Sequence, residues 1–386
     1  TKPGKSMRLA NKPTRRTALI LSRKKYSLLK GSLCPVGIME SKWYRRPSSL
    51  PLAIAIMAMM IIVVGGTIRI YDAGESCPDW PQCFGTWGFD ISEEDQGIWY
   101  DETEEYDSRG PDKRYTTFEI FIEWIHRVLA SLMAIPVLAN FLIILKRKEL
   151  YGSSLVKISF FTGILLTIQG IAGAVTVRFD NADWSVALHL GLACCFVFIL
   201  LWQFFAMRKL EGAKWKVFSV PKEFKDREFK RYRILTGSIF LLLILGAWVS
   251  SSPTGNMGCS VGFPNAWPKC QGDILPSLDN SGILVQMVHR IGAGVVGIAL
   301  ILGVMKFKES AREFAVNETY TKCLDGATAL WLTNVFVGGL YVVEAKVGDF
   351  PEGLSLLHLV LGVASFLVVS VGLMLLQMSE EGAEDE

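Results

Sequence analysis

Apolar residues dominate this chain in long uninterrupted blocks, and the polar residues gather between them. Eight blocks reach the ~20 residues that a helix needs to cross a bilayer core. They cover 50–70, 118–145, 155–177, 186–207, 233–252, 282–305, 324–343 and 354–377. None alternates with the period of two that marks strands, so the pattern predicts an all-α, polytopic membrane protein with eight transmembrane helices.

The polar connections fall into two kinds. Lys and Arg crowd the segment before the first block, the turn Lys146-Arg147-Lys148, and the linkers 208–233 and 306–322. The alternate connections carry acids and cysteines, above all the stretch from Asp90 to Asp112. Basic residues stay on the cytoplasmic side of a membrane, which predicts cytoplasmic N and C termini. The formal net charge of +3 averages these regions away. The basic clusters act as topology signals and require no nucleic acid.

The blocks repeat as a four-helix unit. Cys77 and Trp80-Pro81-Gln82-Cys83-Phe84-Gly85 after the first helix correspond to Cys259 and Trp267-Pro268-Lys269-Cys270-Gln271-Gly272 after the fifth. Glu123-Trp124-Ile125-His126-Arg127 opens the second helix as Gln286-Met287-Val288-His289-Arg290 opens the sixth, and His189 and His358 occupy the fourth and eighth. The expected architecture is two pseudo-symmetric four-helix bundles, 49–209 and 233–378. A basic extension (1–48), a cytoplasmic linker (210–232) and an acidic tail (379–386) complete the division. Two readings of the extension stand: a mitochondrial transit peptide, or read-through ahead of a start at Met39.

The chain contains four histidines, and each lies about two turns or less from the cysteine-loop end of an even-numbered helix. Ionisable groups inside a membrane are costly and mark function. Two imidazoles at similar depth, on helices of the same direction, can face each other across a bundle and hold a flat porphyrin between them. A single metal centre would require all four to converge. Arg127 and Arg290 lie about 100° around the helix from the preceding histidine; they pair with haem propionates or mark the outer interface.

Glu123 shares the face of His126, one turn nearer the loop, while the second half places Gln286 there. A carboxylate moves protons or stabilises positive charge, whereas an amide only hydrogen-bonds. The first bundle is therefore the candidate reaction site and the second the candidate electron-relay site, with snorkelling of Glu123 to water as the plainer reading. Cys77 with Cys83, and Cys259 with Cys270, lie in loops of an oxidising compartment and are candidate disulfides, structural or redox-active. Cys34, Cys194, Cys195 and Cys323 read as packing residues. Gly292-Ala-Gly294-Val-Val-Gly297 matches a dinucleotide fingerprint, but it lies inside a span with no preceding strand. Its glycines read as sites of close helix or porphyrin approach.

These residues resemble the haem A synthase family over about 50–378. The resemblance rests on Gly65-Gly66, Cys77-Pro-Asp-Trp-Pro-Gln-Cys83, Gly85, Glu123 to Arg127, Gly173-Ala-Val-Thr176-Val177, His189, the second cysteine loop, His289-Arg290 and His358. It implies that His126 and His189 bracket haem O as substrate, that His289 and His358 ligate haem b, and that Glu123 is catalytic. It further implies oxidation of a porphyrin methyl to a formyl, giving haem A for cytochrome oxidase assembly. A bacterial plasma membrane, membrane lipid, a haem O-producing partner enzyme, an unidentified electron acceptor and a homo-oligomer accompany that expectation. The wide spacing of Cys259 and Cys270 and the acidic insert after Cys83 depart from the family's compact form. The competing expectations are a dihaem b-type electron-transfer protein and a membrane thiol-disulfide oxidoreductase.

Overall fold

A computed structural model describes residues 45–104, 107, 109–213 and 219–381. Cys34, Met39 and nearly all of the basic extension lie outside the described residues, as does the end of the acidic tail. Among the described residues, eight helical spans are long and apolar enough to cross a membrane. The spans leave large side chains such as Phe161, Ile298 and Phe336 more than half exposed on their outer faces. That inside-out pattern is what a lipid environment permits, with backbone polar groups satisfied within each helix. The chain is a multi-pass membrane protein.

Helix α1 (Ser49–Ile70) is the first span. The acidic insert that follows has a helix and a buried cluster of its own. It folds α2 (Glu93–Thr103), whose N-cap Ser92 accepts from the Asp95 N–H and whose first turn carries Glu93, Glu94 and Asp95, matched to the positive end of the helix dipole. Its Ile91, Tyr100 and Tyr115 are buried together with Cys77, Cys83 and Phe84.

The second span is two helices, α3 (Thr117–Leu132) and α4 (Ala134–Lys146), and not the single helix that its hydrophobicity suggests. A Thr116/Glu119 capping box opens α3. The break at Met133 follows from Pro136, which has no N–H for the carbonyl of Leu132 and whose ring crowds that carbonyl. Helix α5 (Lys148–Arg178) contains a kink at Gly152, where φ is +76°. Helix α6 (Asp183–Leu210) completes the first half.

The second half begins earlier than its apolar block indicates. After β1 (Ser219–Val220), helix α7 (Lys222–Ser251) takes in much of the stretch expected to be a linker, its polar first third preceding the apolar part. A one-turn α8 (Pro253–Asn256) leads into the second cysteine loop. Helices α9 (Ser281–Glu313), α10 (Thr319–Glu344) and α11 (Glu352–Met378) follow, and β2 (Glu380–Glu381) pairs in parallel with β1.

Each half closes into a ring. In the first, α1 meets α3, α4 meets α5, α5 meets α6 and α6 returns to α1; in the second, α7, α9, α10 and α11 do the same. The halves join through α6 against α7 and α11, and α1 against α11. Arg69 donates to the carbonyl of Ser250 at 3.0 Å, which is its own counterpart in the repeat, so this contact lies beside the pseudo-twofold axis. The second half has the larger core, in which Phe224, Tyr232, Phe307, Tyr320 and Trp331 pack together.

Candidate functional site

The four histidines are seated by four glycines. In α1, α5, α7 and α10 a glycine faces the imidazole of the following membrane span: Gly65 faces His126, Gly173 faces His189, Gly246 faces His289 and Gly338 faces His358. A methyl group added at these positions would stand 3.1, 3.1, 3.0 and 2.7 Å from the ring Cε1. Any larger residue would push the ring inward. The glycines thus fix imidazole depth and leave the bundle centre open.

All four histidines line one cavity of about 1320 Å³ that passes through both halves. The rings of His289 and His358 are 6.4 Å apart between centroids and nearly perpendicular. A metal bound to one nitrogen of each ring at roughly 2 Å would require ring centres about 6 Å apart, so this pair is spaced for a shared axial metal. The Asn334 carbonyl lies 3.0 Å from His358 Nδ1, which orients that ring and leaves its other nitrogen for a ligand. Nδ1 of His126, His189 and His289 is buried with no hydrogen-bond partner. Gln169 donates to the His189 carbonyl at 3.1 Å and lies 3.4 Å from its Nε2. Among the described residues, no three His, Cys, Asp or Glu side chains cluster as a metal cage. Paired imidazoles in a large, mostly apolar cavity fit a planar metal macrocycle better than a bare ion.

Glu123 does not reach out to water: it is 3% exposed. Its Oε2 accepts from the Ser76 hydroxyl at 2.8 Å and the Cys77 N–H at 2.9 Å, and its Oε1 from Arg127 at 2.5 Å. Arg127 also donates to the carbonyls of Cys77 (2.6 Å), Gln82 (3.1 Å) and Asp79. The pair therefore staples the first cysteine loop over the cavity, which both residues line. Gln286 donates to the Asn256 carbonyl at 2.8 Å and leaves its Oε1 buried and unpartnered. Arg290 donates to the carbonyls of Ala266 and Lys269 at 2.7 and 3.0 Å. Both arginines thus clamp loop carbonyls, a role foreseen by neither of the two readings of their sequence position.

Disulfides join Cys77 to Cys83 and Cys259 to Cys270, six and eleven residues apart. Cys194, Cys195 and Cys323 are free, and Cys194 is buried in the core of the second half. In the glycine run of α9, Gly292 approaches Leu242 of α7 and Gly297 faces Trp331, so these two serve helix packing.

On the first loop, Arg109 pairs with Asp107 at 2.8 Å and with Asp72 at 2.6 Å, and the Tyr115 hydroxyl bonds both Asp107 and Arg109. Burial alone would raise the Asp107 pKa, but the bonds from Arg109 and Tyr115 outweigh it and hold the carboxyl below 3.8. Burial and the neighbouring carboxylate push the Tyr115 phenol up.

Residues 49–372 match the family model described as "Cytochrome oxidase assembly protein". Among curated proteins, the chain is 26% identical over 295 residues to the heme A synthase of Maricaulis maris, covering 68% of this chain and 77% of that one. It is 25% identical to the heme A synthase of Ruegeria pomeroyi, covering 81% and 84%. Identity to the heme A synthase of Caulobacter vibrioides is 24%, covering 82% and 94%.

Proposed function

Because the chain belongs to the cytochrome oxidase assembly protein family, we propose that it is a haem A synthase, oxidising a methyl group of haem O to the formyl group of haem A. The observation that carries this reading is a single cavity holding two repeat-related histidine pairs, with a buried carboxylate beside one pair and an amide beside the other.

His126 and His189 hold the substrate haem in the first bundle; His289 and His358 hold haem b in the second. Haem b, when bound, supplies a one-electron redox centre whose potential is set by its axial ligands and burial. The protein's own groups do the rest. The glycine seats set the spacing of each imidazole pair. The Glu123–Arg127 pair secures the loop that covers the first site, and the cavity's apolar walls limit water around the reacting methyl. Glu123, one helical turn from His126, takes a proton as the methyl carbon is oxidised, and its burial beside Arg127 supports that role. Two successive hydroxylations of that carbon and loss of one water leave the formyl group. Each hydroxylation with water-level oxygen releases two electrons, which a haem b held by His289 and His358 would relay to an electron acceptor. The charge pattern supports cytoplasmic termini, and bacterial relatives support a bacterial plasma membrane. Haem O, a lipophilic substrate, favours direct transfer from the enzyme that makes it.

The test is chromatography of haems extracted from the purified protein, with and without a co-expressed haem O-producing enzyme. Haem b in both, with haem O and haem A only in the first, is the expected result. Haem b alone in both, at doubled content, would make the protein an electron-transfer cytochrome.

A further inference from the structure

The cavity reaches to different depths in the two halves. In the second half its walls end at Ala293 on α9 and Trp331 on α10. In the first half they continue past the histidine level, along α4 to Phe141 and along α5 to Ser159. At 1.5 Å per residue, the wall runs about 21 Å along α5 from Gly173 to Ser159 and about 10 Å along α10 from Gly338 to Trp331.

One substitution within the repeat stands where the two walls diverge. Trp331 is buried, fastened by its indole N–H to the Ala293 carbonyl at 3.1 Å, and packed in the core of the second half. Aligning the glycine seats Gly173 and Gly338 places Leu166 at the matching position of α5. Gly163 and Gly170, which have open space where a side chain would be, match Thr328 and Val335. The passage in the first half is therefore walled by glycines, aliphatic residues and the rings of Phe141 and Phe160, with Ser159 and Thr167 the polar members on α5. Behind this lining runs a buried polar bridge, in which Asn140 donates to Gln203 at 2.9 Å and Gln203 to Thr162 at 2.8 Å. Leu138 on α4 and Phe160 on α5, both more than half exposed, also line the cavity.

We infer that this passage is a binding channel for the long alkyl substituent of the tetrapyrrole held by His126 and His189, and that Trp331 bars such a substituent from the second half. The inference rests on the function proposed above. The two iron-porphyrins differ in this respect: haem O carries a long isoprenoid chain and haem b does not. The continuity of the channel with the histidine site, its length and its largely apolar lining suit a chain attached to the macrocycle. Trp331 and Leu166 are thus specificity residues that sort one haem into each bundle.

The experiment is haem and lipid extraction from purified Leu166→Trp protein, co-expressed with a haem O-producing enzyme, beside the wild type. The expected result is a loss of haem O and haem A of more than tenfold, with haem b unchanged; retained haem b shows that the fold survives. Haem O at the wild-type amount would overturn the channel, as would loss of a co-purified phospholipid in its place. Absence of haem O and haem A from the wild type as well would overturn the functional reading itself. A reciprocal variant guards against misfolding of Leu166→Trp. Trp331→Leu in a His126→Met, His189→Met background should admit haem O to the second half, where the background alone admits none. Equal haem O in the two proteins would reject Trp331 as the barrier.

Discussion

The two halves share a ring of four helices, paired histidines on glycine seats and an arginine-clamped disulfide loop, yet they treat the space at their centres differently. The second half is filled: Trp331, Phe307 and Tyr232 pack tightly beyond the histidines, and the loop staple is an amide, Gln286. The first half is open beyond the histidines, and its staple is an ion pair, Glu123 with Arg127. A permanently held group needs a close-fitting site, whereas a substrate needs a way in, a way out and a group that moves protons. The two copies of one scaffold differ in the way that the proposed division of labour requires.

The sharpest way to break the comparison is to exchange the staples. Glu123→Gln should lower haem A formation by about 10²–10⁴-fold, the usual contribution of a positioned acid–base group, with haem b content unchanged. Gln286→Glu should add no haem A-forming activity to the second half. Haem A formed at the wild-type rate by Glu123→Gln protein would remove Glu123 from the chemistry.

The glycine seats come next. Gly338 is the tightest, with 2.7 Å to His358 Cε1. Gly338→Ala should displace that ring and reduce haem b retention about tenfold, read from the haem-to-protein ratio after purification. Gly65→Ala, at 3.1 Å from His126, should leave haem b intact and reduce bound haem O.

A smaller effect separates the structural from the redox reading of the cysteines. Replacing Cys77 and Cys83 by Ser removes a closed loop of a few residues, worth about 2 kcal/mol in the chain-entropy account. Activity should persist in the more heat-labile protein. Complete loss of activity in a protein that melts normally would give the disulfide a redox role.

The smallest effect concerns the acidic insert, which the second half lacks. The folded-state pKa of Asp107 is depressed, so its stabilisation is present above the ordinary value of 3.8 and is lost as pH falls below it through the folded value. Tryptic nicking of the insert should therefore stay slow at neutral pH, and Asp107→Asn should speed it without altering haem b. Equal nicking of the two proteins would show that the Asp107–Arg109–Tyr115 network does not hold the insert.

Much of the fold could be read directly from hydrophobic pattern. Eight apolar blocks, the repeat and the cysteine pairs are local or periodic signals, and each has its counterpart in the structure. Helix boundaries were legible only where polarity changed with them: α7 starts at Lys222 because a helix continues through its polar turns into water. The break at Met133 carried a signal in Pro136, masked by unbroken hydrophobicity. The histidines stood out by rarity, but their seats did not. A glycine in a spanning helix reads as any small residue until the rotation of each helix is known, and only then do Gly65, Gly173, Gly246 and Gly338 share a purpose. The loop carbonyls that Arg127 and Arg290 bond were not legible for a similar reason, since they are distant in sequence. Leu166 and Trp331 are ordinary apolar positions until the two halves are superposed.

The measurement that bears most directly on the division of labour is the haem complement of two double variants purified from membranes containing haem O. His126→Met with His189→Met should keep haem b at the wild-type amount and lose haem O and haem A. His289→Met with His358→Met should lose haem b and still bind haem O. Equal depletion of the same haem in both proteins would contradict the assignment of substrate to one half and cofactor to the other.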